Sequence, residues 1–246
     1  VSIIEFFTGT QWTPMFRPQR FGILPLVCGT LWIAVGSAAI AIPVGLCSAI
    51  YLSEYASPRL RTVVKPTLEI LAGIPSIVYG YFAVVLVSPF IRRVFPNADV
   101  FNVVSASVAV GIMILPTVAL MADASLSNVP KPYLEGAAAL GLSRWSTIWS
   151  VVLPSVKSGL FTGVILQVGR ALGETMAVLM VAGNVVQNPD TVFAPIRTLT
   201  SNIALEMAYA MNDHRSALFV SGLVLLLVVL FLVLISDLIR ERYTHV

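Results

Sequence analysis

From Phe21 to Ser53 the chain carries no charged residue. Four later stretches come close to the same condition: 66–91, uncharged after Glu69; 100–122; the run from Pro154 to about Gly183; and 216–236. Each is about 20 residues or longer, enough for a helix to cross a hydrocarbon core of about 30 Å. In lipid every backbone polar group must find a partner within protein, and a helix supplies those partners from its own segment. The pattern therefore predicts five spanning helices, the first near 24–51. Composition agrees, with 57% hydrophobic residues, 11% charged residues and a mean hydropathy of +0.90, where a soluble domain carries about 25% charge. The net charge of +3 is spread over loops and makes no patch for nucleic acid.

Prolines and polar segments set the detail. Pro43 predicts a kink in the first span, because neighbouring helices re-satisfy the carbonyl it frees. Gly73-Ile74-Pro75-Ser76 and Tyr79-Gly80 predict a second span that is bent or locally unwound. Pro116 interrupts the third, and Asp123 is expected to end it in a solvated or loop-paired position, as Glu69 and Asp237 are at other helix ends. Residues 1–23 suit an interfacial segment, with Trp12, Phe16 and Phe21 against headgroups. Residues 184–214 are too polar to span, although Thr198–Met211 has the spacing of a short interfacial helix. Cys28 and Cys47 fall in one helix at about 28 Å from each other, beyond disulfide reach. His214 and His245 fall in loops with no second ligand in sequence reach, so no metal is assigned. The organisation is thus a 1–23 segment, a membrane domain over 24–239 and a tail over 240–246.

Placing the loop at 123–157 and the C-terminus inside the cell puts Arg59, Arg61, Lys65, Lys131, Arg144, Lys157, Arg240 and Arg242 on that side. Arg17, Arg20, Arg92, Arg93, Arg197 and Arg215 fall opposite, and the small cationic excess inside favours this orientation. It leaves Val1 outside without a signal peptide, so a further span upstream is expected.

Between the third and fourth spans the sequence SNVPKPYLEGAAALGLSRWSTIWSVVLPSVK reads as a compact protrusion. Pro132 starts a short helix through Leu140, Gly141 stops it, and Ser143 caps a second helix ending near Leu153, where Pro154 opens the next span. Beyond it, Arg170 and Glu174 sit inside an apolar run. A charge at mid-bilayer costs about 2.5–3.5 kcal/mol on insertion scales, so such residues face a bundle interior and have a task. Four residues apart, they are expected to share a helix face, with Gln167 one turn earlier. Arginine stays charged and offers a planar fork that matches two oxygens of an oxyanion. The same spacing also fits a structural ion pair locking two helices. Ser76 and Tyr79, in the bent second run, have hydroxyls to offer an anion and are equally suited to packing.

The loop resembles that of ATP-binding-cassette importer permeases, whose pattern is Glu-Ala-Ala, three residues, Gly, nine residues, Ile, one residue, Leu-Pro. Glu135, Gly136, Ala137, Gly141, Val151, Leu153 and Pro154 stand in that register, with Gly136 and Val151 as departures from Ala and Ile. Ala72–Gly80 and Arg170–Thr175 are similar to two membrane signatures of the phosphate importer permeases. Met176-Ala177-Val178 and Phe7–Thr10 with Trp12 are closer to the PstC type than to its PstA paralogue. The resemblance implies an all-α, polytopic type I importer fold (MetI-like), with the coupling loop over 127–154. It implies a heterodimer with a PstA-like permease, a PstB-like ATPase dimer docked on Glu135, Gly136, Ala137, Gly141, Leu153 and Pro154, and a PstS-like phosphate-binding protein outside. Arg170, Glu174, Gln167, Ser76 and Tyr79 then line the path of phosphate.

The chain has no GxxxxGK[ST], so ATP and Mg belong to the partner ATPase and this subunit is no enzyme. It also lacks HExxH and GxSxG. Two other readings stay open on sequence: a permease for another oxyanion such as sulfate or molybdate, and a proton-coupled secondary transporter gated by Arg170 and Glu174.

Overall fold

The computed structural model describes residues 2–244, with side chains through Leu238. In chain order the elements are α1 (Ile3–Thr8), a two-stranded antiparallel hairpin of β1 (Trp12–Thr13) and β2 (Arg20–Phe21), and then α2 (Leu24–Ile50). There follow α3 (Pro58–Ala72), α4 (Ser76–Phe82), α5 (Ser88–Val94), α6 (Val103–Ser127), α7 (Lys131–Ala139), α8 (Arg144–Thr147) and α9 (Leu153–Leu172). The last are α10 (Met176–Val181), α11 (Leu199–Glu206) and α12 (Asn212–Thr244). Single π-helical turns at Tyr51–Tyr55, Ala83–Val87 and Ile148–Val152 extend α2, join α4 to α5 and join α8 to α9.

Among the described residues five helical stretches are long and apolar enough to cross a membrane: Leu24–Tyr55, Ser76–Val94, Val103–Ser127, Arg144–Leu172 and Asn212–Leu238. The count matches the sequence, but several boundaries move for physical reasons. The second span begins at Ser76 rather than near 66. Residues Pro58–Ala72 form a separate helix instead, capped by Ser57, whose hydroxyl accepts from the Leu60 N–H at 3.3 Å. Gly73-Ile74-Pro75 divides the two, since proline disfavours the α conformation in the residue before it. Asp123 does not end the third span, which runs on to Ser127. The fourth stops at Leu172, not Gly183. The fifth belongs to a helix that continues to Thr244; the side chains of Arg240 and Arg242, and His245 altogether, lie outside the described residues.

The chain divides into two compact units. One comprises the chain up to Ile40 with Ile74–Met113 and Val168–Phe231; the other comprises Ala41–Gly73, Ile114–Gln167 and the chain from Leu232. In the first, Phe6, Trp12, Phe21, Ile23, Leu26, Leu199 and Leu218 form a buried apolar cluster. Trp12 and Phe21 therefore face protein rather than headgroups, and their rings meet edge to face at 5.7 Å; Phe16 alone of the three is exposed. Beneath this cluster lies a polar hub. The Trp12 indole N–H donates to Glu206 Oε2 at 2.7 Å, His214 Nε2 lies 2.8 Å from the same oxygen, and Arg197 Nη1 donates to Glu206 Oε1 at 2.7 Å. His214 is thus buried in the first turn of α12, not in a loop.

In the second unit, Ala49, Ala122, Leu126, Val129, Val152 and Val156 form the apolar core. The amphipathic α3 is fastened there by charge. Arg61 donates from Nε and Nη2 to the carbonyls of Leu52 and Ser53, which the π-helical turn after α2 leaves accessible. Lys65 pairs with Asp123, which is buried and not solvated as expected.

Candidate translocation site and coupling loop

Arg170 is exposed and occupies the last turn of α9. The fourth span breaks just beyond it, over Gly173–Thr175, and α10 starts afresh at Met176. Arg170 and Glu174 consequently do not share a helix, and among the described residues no ion pair joins them. Glu174 has another task. Its Oε1 accepts the Ala177 N–H at 3.1 Å, occupying one of the orphan donors that open a helix. The apolar run gives little sign of this break; Gly173, next to two polar residues, is its one local signal.

The second span opens just after a break of its own, Gly73-Ile74-Pro75, and its first segment α4 packs on α10. Gly80 permits that approach: a Cβ there would stand 3.0 Å from the Ala177 Cα and 3.1 Å from Met180 Sδ. Tyr79 is buried beside this crossing, close enough for the Arg170 charge to act on it, and half-buried Ser76 opens α4. Four of the five predicted pathway residues thus lie beside two chain breaks, the one that precedes the second span and the one that follows Leu172. Interrupted spans are where membrane proteins place polar backbone, because irregular main chain is tolerated there only when protein or a cavity surrounds it. Gln167 lies one turn before Arg170 on α9. It is buried in the second unit, where its Oε1 accepts from Thr117 Oγ1 at 2.6 Å and its Nε2 lies 3.0 Å from Met121 Sδ.

The loop folds as one short helix and an elbow rather than two short helices. α7 ends at Ala139, Gly141 takes φ +70°, and Ser143 caps the next turn by accepting the Ser146 N–H at 3.2 Å. From Arg144 the helix then runs without a stop through Pro154 to Leu172. The expected end near Leu153 does not occur, because Leu153 remains α-helical (φ −59°, ψ −44°) and the preceding π-helical turn takes up the carbonyl geometry that Pro154 disturbs. Glu135, Gly136, Gly141 and Pro154 are exposed, Leu153 is half-buried and Ala137 is buried. Around them Leu140 is 81% exposed and Trp145 65%. Leu140 lies outside the spans and Trp145 in the first turn of the fourth, and large apolar groups left bare side by side mark a surface open to a partner.

Residues 41–245 match the family of binding-protein-dependent transport system inner membrane components. The chain is 36% identical over 245 residues to a probable ABC transporter permease, YqgH, of Bacillus subtilis, covering 98% of this chain and 79% of that one. It is 34% identical over 261 residues to the phosphate transport system permease PstC of Xylella fastidiosa, covering 98% and 80%. In fold it is similar to a chain of the inward-facing MetNI methionine ABC transporter, with a TM-score of 0.70 at 20% identity over 93% of this chain and 99% of that one. Five spans among the described residues and these likenesses agree: the chain belongs to the inner membrane components of binding-protein-dependent transport systems, the type I ABC importer permeases that cross the bacterial cytoplasmic membrane several times.

Proposed function

We propose that this permease passes inorganic phosphate. The observation that carries the reading is Arg170: an exposed guanidinium at the interior end of a spanning helix, beside a helix break, in none of the ion pairs among the described residues. A fixed cation with a planar donor fork suits a tetrahedral oxyanion. Relatives of the PstC type, named for phosphate transport, support phosphate over sulfate or molybdate.

In this reading the chain is half of a heterodimeric pore with a PstA-like permease. A PstS-like protein delivers phosphate from outside. PstB-like ATPase subunits, which bind ATP and Mg, receive α7 and the turn at Gly141 in a groove, where Leu140 and Trp145 become covered. The loop and the C-terminus face the cytoplasm. Closure of the ATPases moves the loop, and the pore opens outward to take phosphate past Arg170, with Ser76 and Tyr79 as further donors. The chain itself performs no chemistry on substrate.

The test is Arg170→Gln in the complex reconstituted in vesicles. Phosphate uptake is lost while ATP hydrolysis continues. Uptake at the unaltered rate would refute the role of Arg170, and uptake of sulfate or molybdate in preference to phosphate would reassign the substrate.

A further inference from the structure

We propose that Thr200 is a positioning residue for the pathway, its hydroxyl holding the break in the fourth span that carries Glu174; this rests on the anion path proposed above. A helix that stops inside a membrane protein leaves carbonyls without their ladder partners, and water is scarce there to replace them. At this break Thr200 Oγ1 donates to the Glu174 carbonyl at 2.7 Å. Thr200 is buried and belongs to α11, which lies in none of the spans.

A hydroxyl has one proton to give. Thr200 gives its own to Glu174, and Thr198 Oγ1, 3.0 Å away, gives its proton to Ser201 Oγ at 2.9 Å, so Glu174 is the acceptor that holds the Thr200 hydroxyl. Thr198 caps α11 by accepting the Ser201 N–H at 3.2 Å. The next amide, Leu199 N–H, donates to Thr30 Oγ1 at 3.0 Å, and Thr30 in turn donates to the Leu26 carbonyl at 2.8 Å. The first turn of α11 is therefore fixed to the first span on one side and to the break on the other. Glu174 is gripped twice, at its carbonyl by Thr200 and at its carboxylate by the Ala177 N–H. With the hydroxyl gone, the Glu174–Thr175 peptide is free to turn toward another donor, and the carboxylate loses its aim. A segment outside the spans thereby sets how a charged group is presented along the path.

The variants are Thr200→Val, which keeps the shape and removes the donor, Thr200→Ser, which keeps the donor, and Thr200→Cys, a weaker donor of similar size. Each is read in the reconstituted full complex by amide hydrogen exchange over Gly173–Leu179 and by phosphate uptake. In Thr200→Val, exchange there rises about tenfold, in proportion to the loss of one buried hydrogen bond. The KM for phosphate delivered by its binding protein rises about threefold or more while the maximal rate falls less, as for a loss of positioning. Thr200→Ser restores both readings and Thr200→Cys falls between. Unchanged exchange in Thr200→Val overturns the proposal, and so does faster exchange with unaltered uptake kinetics, which makes the bond structural only. Unimpaired uptake by Arg170→Gln would sink the anion path while leaving the exchange result standing.

Discussion

Lys65 Nζ lies 2.6 Å from Asp123 Oδ2, and the carboxylate is almost wholly buried while the ammonium reaches the surface. The second carboxylate oxygen, Oδ1, is buried with no hydrogen-bond partner. Asp123 thus relies on a cation from a helix far away in sequence. Lys65→Met leaves that charge unpaired and is expected to lower stability by about 3 kcal/mol, whereas Lys65→Met with Asp123→Leu recovers most of the loss. Thermal unfolding of the purified complex in detergent measures both. Equal midpoints for the single and double variants would show the pair to be idle.

The Glu206 hub makes a second prediction. Its two oxygens accept from Trp12, Arg197 and the His214 ring. In Glu206→Gln one oxygen becomes an NH2 group that faces a donor, and a buried cation loses its counter-charge. A loss of about 3 kcal/mol is expected, again as a lowered unfolding midpoint. Trp12→Phe, which removes one donor and leaves the ion pairs, should cost about 1 kcal/mol.

Gly80 and the crossing of α4 with α10 make a third. Alanine at this position presses a methyl group against the Ala177 backbone at 3.0 Å, so α4 and α10 must part. The expected cost is about 1–3 kcal/mol, with a fall in uptake larger than the fall in complex yield. Wild-type uptake by Gly80→Ala would show that the close approach has no functional weight.

Two glycines of the loop should behave oppositely. At Gly136, inside α7, an added Cβ meets nothing within 4 Å, so Gly136→Ala is expected to stabilise by about 1 kcal/mol through helix propensity. Gly141 has φ +70°, where an alanine side chain strains the backbone by about 1–2 kcal/mol. ATPase activity coupled to uptake should survive the first change and drop in the second. The reverse order would mean that the turn is not held in this form during docking.

Glu174→Gln keeps an oxygen to accept the Ala177 N–H, so its unfolding midpoint should match the parent, while Glu174→Ala loses about 1 kcal/mol with the cap. Any loss of uptake in the glutamine variant then reports the charge alone.

What could be read from the sequence divides by range. The spans were legible because a run of apolar residues has no other stable solvent than lipid or protein. The turn at Gly141 and the cap at Ser143 were legible because they depend on residues within a few positions of each other. The burial of Asp123 was not: a lone acid after an apolar run looks like a helix end until Lys65 is seen to reach it. Trp12 has the composition of a headgroup anchor, and only Glu206, far along the chain, makes it a core residue. The pairing of Arg170 with Glu174 failed for a subtler reason. Helical spacing assumes a helix, and the sequence Ala-Leu-Gly between them gives no strong stop; the hydroxyl of Thr200 supplies what the local sequence lacks.

The unbroken helix from Arg144 to Leu172 bears on how stiff this subunit is along its length. A loop of two loosely joined helices would absorb a push from an ATPase within itself. Here the helix runs on past the expected end, and the places where its ladder departs from regularity are the π-helical turn at Ile148–Val152 and Pro154, which has no N–H to give. Compliance in the loop therefore sits at these two neighbouring features and at the left-handed turn of Gly141, not at a gap between two helices.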